Sequence, residues 1–316
     1  MFTKIAAFIQ LIRWPNLVFI ALTQVLFGVC IVQPIFQQQN LLPNIHGANF
    51  WLVVVAYLLI AAAGYIINDY FDLNIDQINK PNKVVVSKII SRRWVIIWHL
   101  LLTGLALAAC YYVSFTTQIW LVFWAALINS ILLFFYSTSL KKKFLIGNIV
   151  IAAVIAWGVF MYVFYEYNRL YMSGSATHLR LNSNKLLRIA YLYAGFSFII
   201  SIIREVVKDM EDIDGDRLYG CKTLPIVWGI NAAKVFVAVW LVVLMGALIL
   251  VQTYVIQYHW WFSIAYSFIF IIYPLFKVFK LLIPATNANH FGQISNLIKW
   301  VMFSGIVSMV FFIIYQ

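Results

Sequence analysis

Long apolar runs alternate with short polar segments along the chain. A membrane-spanning helix needs roughly 17 to 25 predominantly apolar residues, because the hydrocarbon core of a bilayer is about 30 Å thick. Nine runs reach that length, at about residues 17–36, 50–67, 94–114, 118–136, 144–165, 188–206, 233–252, 258–276 and 297–315. The pattern predicts an all-α, polytopic membrane protein with nine transmembrane helices, organised as a single membrane domain over residues 1–316.

Composition supports this prediction and excludes an ordinary soluble domain. Hydrophobic residues make up 64% of the 316 residues and charged residues only 10%, whereas soluble proteins contain roughly 25% charged residues. The first segment, "MFTKIAAFIQLIRWPN", has no small-residue cleavage site, so we expect no cleaved signal peptide. Cys30, Cys110 and Cys221 indicate no disulfide framework.

The basic residues are unevenly distributed between the two sides of the predicted membrane. Cytoplasmic loops are typically rich in Lys and Arg. If the amino terminus is cytoplasmic, 18 of the 22 Lys and Arg residues fall on the cytoplasmic side. The four on the opposite side are Arg169, Arg180, Lys185 and Arg188. Topology then accounts for the net charge of +12, and no nucleic-acid partner is expected. The short loops favour a prokaryotic inner membrane.

The acidic residues are concentrated where the second and sixth predicted helices reach the cytoplasmic side. Nine of the ten lie in "NDYFDLNID" or "REVVKDMEDIDGD", and only Glu166 stands apart. Gly215 predicts that the last turn of the second segment is a loop. At helical spacing, one stripe holds Asn68, Asp72 and Asp76, and another holds Glu205, Asp209, Asp212 and Asp216.

Carboxylates on one helix face repel each other, and the repulsion grows where the surroundings are less polarisable than water. Carboxylate and amide oxygens suit Mg²⁺, which completes its coordination with water and substrate phosphate oxygens. For a single cluster, solvated residues at a helix end would be the simpler interpretation. Two clusters with matched spacing on the same predicted side instead indicate a magnesium site for a diphosphate.

The two acidic segments resemble the paired Asp-rich signatures of the UbiA superfamily of intramembrane prenyltransferases. "NDYFDLNIDQINKPNK" is similar to the first signature and "KDMEDIDGDRLYGCKTLP" to the second, with "FYSTSLKKKFLIGN" between them. The resemblance implies a helical bundle around a central cavity, in which Mg²⁺ holds an isoprenyl diphosphate. It implies that Mg²⁺ is bound by Asn68, Asp72, Asp76, Asp209, Asp212 and Asp216, and that turnover depends on Asp72 and Asp212. The side chains of Asp69, Glu211 and Asp214 are expected to point away from the metal.

The resemblance also implies cationic and polar contacts to the diphosphate. Arg13 and Asn16 in "RWPN" resemble the family's amino-terminal Arg/Asn element. Tyr136, Lys141 and Lys142 lie in the segment where the family contacts diphosphate, although lysines at a cytoplasmic helix end are also an ordinary topology signal.

Lys83 is a further diphosphate candidate in a segment that departs from the family pattern. Many relatives read approximately NRPxRPxxxG after the first signature, whereas this chain reads "NKPNKVVVSK", with Val84 and Lys88 in place of a Pro and a Gly. Lysine keeps the positive charge but lacks the planar, bidentate geometry of arginine.

The acceptor is the least determined part of the prediction. The sequence of the second signature is most similar to the sequences of the branch that transfers a geranylgeranyl group to geranylgeranylglyceryl phosphate, an ether-lipid precursor. An aromatic acceptor of the menaquinone type is the alternative, and a non-catalytic scaffold is a further one. A cation transporter is the remote alternative, because its acidic residues would be expected near the bilayer midplane. The expected partners are therefore an isoprenyl diphosphate, a lipophilic acceptor and membrane lipid.

Overall fold

The computed structural model describes residues 2–37, 47–172 and 176–315, and over these ranges the chain is helical and contains no strand. The first half of the chain forms α1 (Phe2–Leu11), α2 (Trp14–Leu26), α3 (Gln33–Gln37), α4 (Ala48–Phe71), α5 (Leu73–Asn79), α6 (Arg92–Thr117), α7 (Leu121–Thr138) and α8 (Ile146–Met172). The second half forms α9 (Ala176–Glu211), α10 (Ile213–Leu218), α11 (Leu224–Val227), α12 (Ile230–Ile256), α13 (Trp261–Ser267), α14 (Tyr273–Leu282), α15 (Ala288–Val307) and α16 (Phe311–Ile314).

Nine helical segments among the described residues are long and apolar enough to cross a membrane, which confirms the prediction of a polytopic all-α protein. Most extend a few residues beyond the apolar runs, because helical hydrogen bonding continues into the polar flanks. They cover Trp14–Gln37, Ala48–Phe71, Arg92–Thr117, Leu121–Thr138, Ile146–Glu166, Lys185–Glu211, Ile230–Ile256, Trp261–Leu282 and Ala288–Ile314.

Two of these spans contain a π-helical segment next to a proline. Phe27–Val32 precedes Pro34, and Phe268–Ile272 precedes Pro274. A proline inside a helix has no N–H to donate, and its ring clashes with the carbonyl four residues earlier. The wider π turn accommodates the ring without unwinding the helix, as lipid requires because it offers the backbone no other partner.

Met1–Leu140 and Ala156–Tyr193 make up one compact unit, in which α4, α6 and α7 pack together. The close approach of α4 to α7 uses Gly64, where an added Cβ would lie 3.0 Å from Leu133 Cδ1. Several buried polar groups in this unit are hydrogen-bonded, as expected at membrane depth. Tyr162 Oη donates to Oε1 of the fully buried Glu166 at 3.2 Å, so the acidic residue that stands apart in the sequence is an interior one.

Lys141–Ile155 and Ala194–Gln316 make up a second compact unit with its own apolar core. Its core comprises buried residues of α9, α12, α14 and α15, among them Val206, Leu241 and Leu275. α9 and α15 approach closely at Gly305, where an added Cβ would lie 2.6 Å from Phe196 Cε1. A side chain of any size at position 305 therefore requires the phenylalanine ring to move.

Gly305→Ala is expected to destabilise the protein by about 1–3 kcal/mol, the usual cost of overpacking a filled core. Thermal unfolding of the detergent-solubilised protein measures the effect. Gly195→Ala, on the neighbouring α9, is the matched control, because a Cβ there meets nothing within 4 Å. Equal melting temperatures for the two variants would contradict the close packing at Gly305.

Candidate active site

The first acidic motif lies at a bend between two helices. α4 ends at Phe71, α5 begins at Leu73, and Asp72 joins them with φ −86° and ψ −3°. The backbone N–H of Asp72 donates to Asn68 O at 2.9 Å, and that of Asp76 donates to Asp72 O at 2.8 Å. Because these i, i+4 bonds continue through the bend, the three residues succeed one another at helical spacing, as the sequence predicts.

The carboxylates of this motif are close enough to repel one another. Asn68 Nδ2 donates to Asp72 Oδ2 at 2.7 Å, which orients the amide toward the carboxylate. Burial, together with repulsion from Asp72 and Asp69, raises the pKa of Asp76 to about 6, although Arg13 and Lys80 partly offset the shift. The cost of ionising Asp76 shows that the motif would gain from an additional cation.

Arg13 is held against the first motif by Asp69. It occupies the left-handed region, with φ 51°, at the corner between α1 and α2. Its Nη2 donates to Asp69 Oδ1 at 2.7 Å, and its guanidinium carbon lies 5.1 Å from the centroid of the Tyr65 ring. Burial alone would lower the pKa of Arg13, but attraction to Asp69 and Tyr65 outweighs it and the pKa is raised. Asp69 therefore holds a cation beside the first acidic motif.

The second acidic motif repeats the backbone design of the first. α9 ends at Glu211, α10 begins at Ile213, and Asp212 lies between them with φ −100° and ψ 10°. The N–H of Asp212 donates to Lys208 O at 2.8 Å, and that of Asp216 donates to Asp212 O at 3.2 Å. Each motif thus has an interrupted helix with an aspartate at the interruption.

The expectation that Gly215 turns the end of this motif into a loop is wrong. Gly215 lies inside α10 and is buried, and its carbonyl accepts from the N–H of Tyr219 at 3.2 Å. The roughly 1 kcal/mol that glycine costs a helix is small enough for tertiary packing to override. Asp216 therefore keeps its helical spacing from Asp212.

Two acidic residues of the second stripe already have polar partners. Asn148 Nδ2, from α8, donates to Asp209 Oδ2 at 2.8 Å, and the asparagine is itself buried. Glu205 accepts from Arg204 Nη1 at 3.2 Å and from Lys208 Nζ at 3.3 Å. The charge of Glu205 is therefore balanced within α9, whereas Asp209 receives a neutral donor that orients the carboxylate without neutralising it.

The segment from Lys141 onwards is attached to the loop that follows the second motif. The backbone N–H of Lys222 donates to Lys142 O at 2.8 Å, and the rings of Phe144 and Trp228 have centroids 4.7 Å apart. Lys141 and Lys142 lie in the 3₁₀ turn Leu140–Lys142 and are both half-buried. Together with the Asn148 hydrogen bond, these contacts fix the basic turn relative to the second motif.

The remaining predicted diphosphate contacts are Asn16, Tyr136 and Lys83. Asn16 is half-buried in the first turn of α2, where its N–H donates to Arg13 O at 2.8 Å. Tyr136 is half-buried near the end of α7. The side chain of Lys83 lies outside the part of the chain that the structure describes, although its backbone ends the 3₁₀ turn Pro81–Lys83.

Asn148 is the residue of this site that sequence reasoning did not single out. It is a lone amide at the start of an apolar run, "IGNIVIAAVIAW", and polar residues at such positions commonly have an interior partner. That signal could have marked the residue, but its partner, Asp209, is set by helix packing that the sequence pattern does not specify.

The donor set fits Mg²⁺ that arrives with a phosphate ligand. Within residues 2–37, 47–172 and 176–315, no three His, Cys, Asp or Glu side chains are grouped closely enough to hold a metal ion. Magnesium does not need such a cage, because it usually binds one or two carboxylates and takes its other ligands from water and substrate phosphate. The acidic residues of both motifs offer hard oxygen ligands, and repulsion around Asp76 favours a cation there.

Asn148→Ala is expected to lower the free energy of unfolding by about 1–3 kcal/mol, because it leaves the half-buried Asp209 carboxylate without this donor. Chemical denaturation in detergent measures the change. Asn296→Ala, at an exposed position of α15, is the control and should have little effect. If the two alanine variants unfold at the same denaturant concentration, the Asn148–Asp209 hydrogen bond does not contribute to stability.

Comparisons with known proteins agree with the fold. A digeranylgeranylglyceryl phosphate synthase from Thermococcus sibiricus is 32% identical over 183 residues, which cover 58% of this chain and 57% of the relative. The alignment thus spans little more than half of that protein. A UbiA homologue from Aeropyrum pernix has a TM-score of 0.65 at 14% identity and matches 95% of this chain and 98% of its own.

A second solved structure has a similar fold. It is a UbiA homologue from Archaeoglobus fulgidus bound to GPP and Mg²⁺, with a TM-score of 0.52 at 14% identity, and the match covers 96% of this chain and 99% of that one. The UbiA prenyltransferase family itself matches residues 15–315, almost the whole sequence. This chain therefore belongs to the UbiA prenyltransferase family.

Proposed function

We propose that this protein is a Mg²⁺-dependent intramembrane prenyltransferase that moves a polyprenyl group from its diphosphate to a lipophilic acceptor. The observation that carries the proposal is the shared design of the two acidic motifs, each an interrupted helix with an aspartate at the interruption, at Asp72 and at Asp212. Membership of the UbiA family and the GPP and Mg²⁺ bound by the Archaeoglobus homologue support it.

The metal ligands that we propose are the oxygen-bearing residues at helical spacing in each motif. When bound, Mg²⁺ would stabilise the negative charge that develops on the departing diphosphate. Asn148 would orient Asp209, and Asn68 would orient Asp72, so that their oxygens need little rearrangement on binding. The proposed ligands are Asn68, Asp72, Asp76, Asp209, Asp212 and Asp216.

Cationic and polar residues would bind the diphosphate directly. Arg13 is the best supported, because Asp69 and the Tyr65 ring hold its guanidinium in place. A guanidinium carries several N–H donors in a fixed plane, so its pairing with Asp69 leaves capacity for phosphate oxygens. The other proposed contacts are Asn16, Lys83, Tyr136, Lys141 and Lys142.

Geranylgeranylglyceryl phosphate is the acceptor that we propose. The Thermococcus relative is named for digeranylgeranylglyceryl phosphate, the product that such a transfer would form, and the match covers 58% of this chain. An aromatic acceptor is the second candidate. A cation transporter is less well supported, because both acidic motifs lie towards helix ends, and Glu166, at the end of its span, is buried and bonded to Tyr162.

The protein is an integral membrane protein, and we propose that its amino terminus and both acidic motifs are cytoplasmic in a prokaryotic inner membrane. The concentration of Lys and Arg on one predicted side supports this orientation. Because the family match runs from residue 15 to residue 315, we also propose that the chain acts as a single prenyltransferase domain, with the central cavity that the resemblance implies.

Asp72→Asn and Asp212→Asn are each expected to lower Mg²⁺-dependent release of diphosphate by at least about 100-fold, because each removes a negatively charged metal ligand. Release is measured with purified protein and a labelled prenyl diphosphate. The double variant should be little worse than either single one, since residues that act as a unit give non-additive losses. Asp214→Asn, at an exposed position in the same motif as Asp212, is the control.

Undiminished turnover in either single variant, or turnover without Mg²⁺, would contradict the proposed metal site. Circular dichroism and size-exclusion chromatography in detergent check that each variant is folded.

An acceptor screen is expected to yield a prenylated product from geranylgeranylglyceryl phosphate and none from naphthoate or hydroxybenzoate acceptors. The basic residues assigned to the site favour a phosphorylated acceptor, because each phosphate contact is charge-assisted. Mass spectrometry of the extracted lipid identifies the product. A product formed with an aromatic acceptor alone would replace the ether-lipid assignment with the quinone-type one.

A further inference from the structure

An apolar groove runs along the surface of the second compact unit, between α12 and the span formed by α13, the π segment and α14. Its volume is about 520 Å³, within the roughly 300–1,000 Å³ typical of pockets that hold small molecules. Several lining side chains are exposed, including Val242, Phe268 and Tyr273. The lining comprises Val242, Met245, Gly246, Ile249, Phe268, Ile272, Tyr273 and Phe276.

Two backbone features leave room for the groove. Gly246 has no side chain, and a Cβ added there would meet nothing within 4 Å. On the opposite wall, the π segment Phe268–Ile272 precedes Pro274 and interrupts the regular α-helical spacing of side chains. An α-helical span with larger residues at these positions would fill the space.

Lysines lie at the end of the groove where α12 begins and α14 ends. Lys277 and Lys280 follow Tyr273 and Phe276 by one helical turn each, so they continue the lining stripe of α14. Lys280 Nζ lies 4.8 Å from the centroid of the Phe276 ring. On the facing helix, Lys234 Nζ donates to Ile283 O at 3.0 Å.

The charge at this end has no acidic counterpart on the same helices. The sequence contains no Asp or Glu after Asp216, so α12, α14 and α15 carry lysines but no acidic residue, and α13 carries neither. The three lysines are therefore suited to an external anion. Basic groups that flank an apolar groove between transmembrane helices are the arrangement that binds anionic lipid headgroups.

We propose that the groove is a binding site for an anionic membrane lipid, with a hydrocarbon chain between α12 and α14 and a phosphate headgroup at Lys277 and Lys280. The length supports this occupant. From Phe268 to Lys280 the helix rises by about 18 Å, close to the thickness of one leaflet in a hydrocarbon core of about 30 Å. This site is independent of the proposed transferase activity, because none of its residues belongs to the two acidic motifs.

Native mass spectrometry of the full chain in detergent, titrated with phosphatidylglycerol or phosphatidylcholine of the same acyl chains, tests the proposal. Phosphatidylglycerol should bind about tenfold more tightly. Lys277→Gln combined with Lys280→Gln should weaken the binding of phosphatidylglycerol by about tenfold, because the lysines interact with the charge of the headgroup. The affinity for phosphatidylcholine should be nearly unchanged. Lys4→Gln combined with Arg93→Gln removes two exposed cations elsewhere and should change neither lipid.

A second pair of variants tests the groove itself. Gly246→Leu should fill the groove and weaken the binding of both lipids, whereas Gly104→Leu should change the binding of neither. Gly104 is the matched control because it is also exposed and has nothing within 4 Å of an added Cβ, but it does not line the groove. Gly246→Ala, which should retain binding, shows that position 246 tolerates a side chain.

Three results would overturn the proposal. The first is equal binding of the two lipids, and the second is an unchanged lipid affinity in Gly246→Leu. The third is a dimer of the wild-type chain that Gly246→Leu converts to a monomer, because the groove would then be an interface between two copies.

Discussion

Within the hydrocarbon of a bilayer, a backbone N–H or C=O that has no protein partner costs several kcal/mol, and this constraint organises the whole molecule. It explains why the spans are long helices and why the prolines at 34 and 274 are accompanied by π turns rather than breaks. The same constraint is met at the bends of the two acidic motifs. Asp72 and Asp212 lie at the ends of α4 and α9, and their N–H groups still donate to Asn68 O and Lys208 O, so the backbone stays hydrogen-bonded through each bend.

The same constraint governs the charged side chains, because a charge near lipid needs a partner or a function. Three acidic residues of the two motifs have partners within the protein. Asp69 holds Arg13, Glu205 is balanced by Arg204 and Lys208, and Asp209 is oriented by Asn148. Burial and repulsion from Asp72 and Asp69 raise the pKa of Asp76 to about 6, so a metal ion bound there would relieve this repulsion.

Much of the fold could be predicted because lipid imposes a simple rule on sequence. Apolar length alone identified all nine spans in the described residues, and helical spacing identified the acidic stripe of the first motif. The error at Gly215 came from using local propensity, which is weak, for a residue whose helical conformation is set by burial. The roles of Asn148 and Asp69 could not be predicted, since each depends on a partner 61 or 56 residues away in the chain.

The sequence by itself determined that the chain crosses the membrane repeatedly and that nine of its ten acidic residues lie in two segments at helix ends. It could do so because hydrophobic length, charge bias and helical period act along the chain and need no knowledge of packing. Only the tertiary structure decided which carboxylates are supported by other residues, that Gly215 stays helical, and that a groove opens at Gly246 beside three lysines. These features depend on which faces of distant helices meet, and that is set by the close packing of side chains rather than by their order.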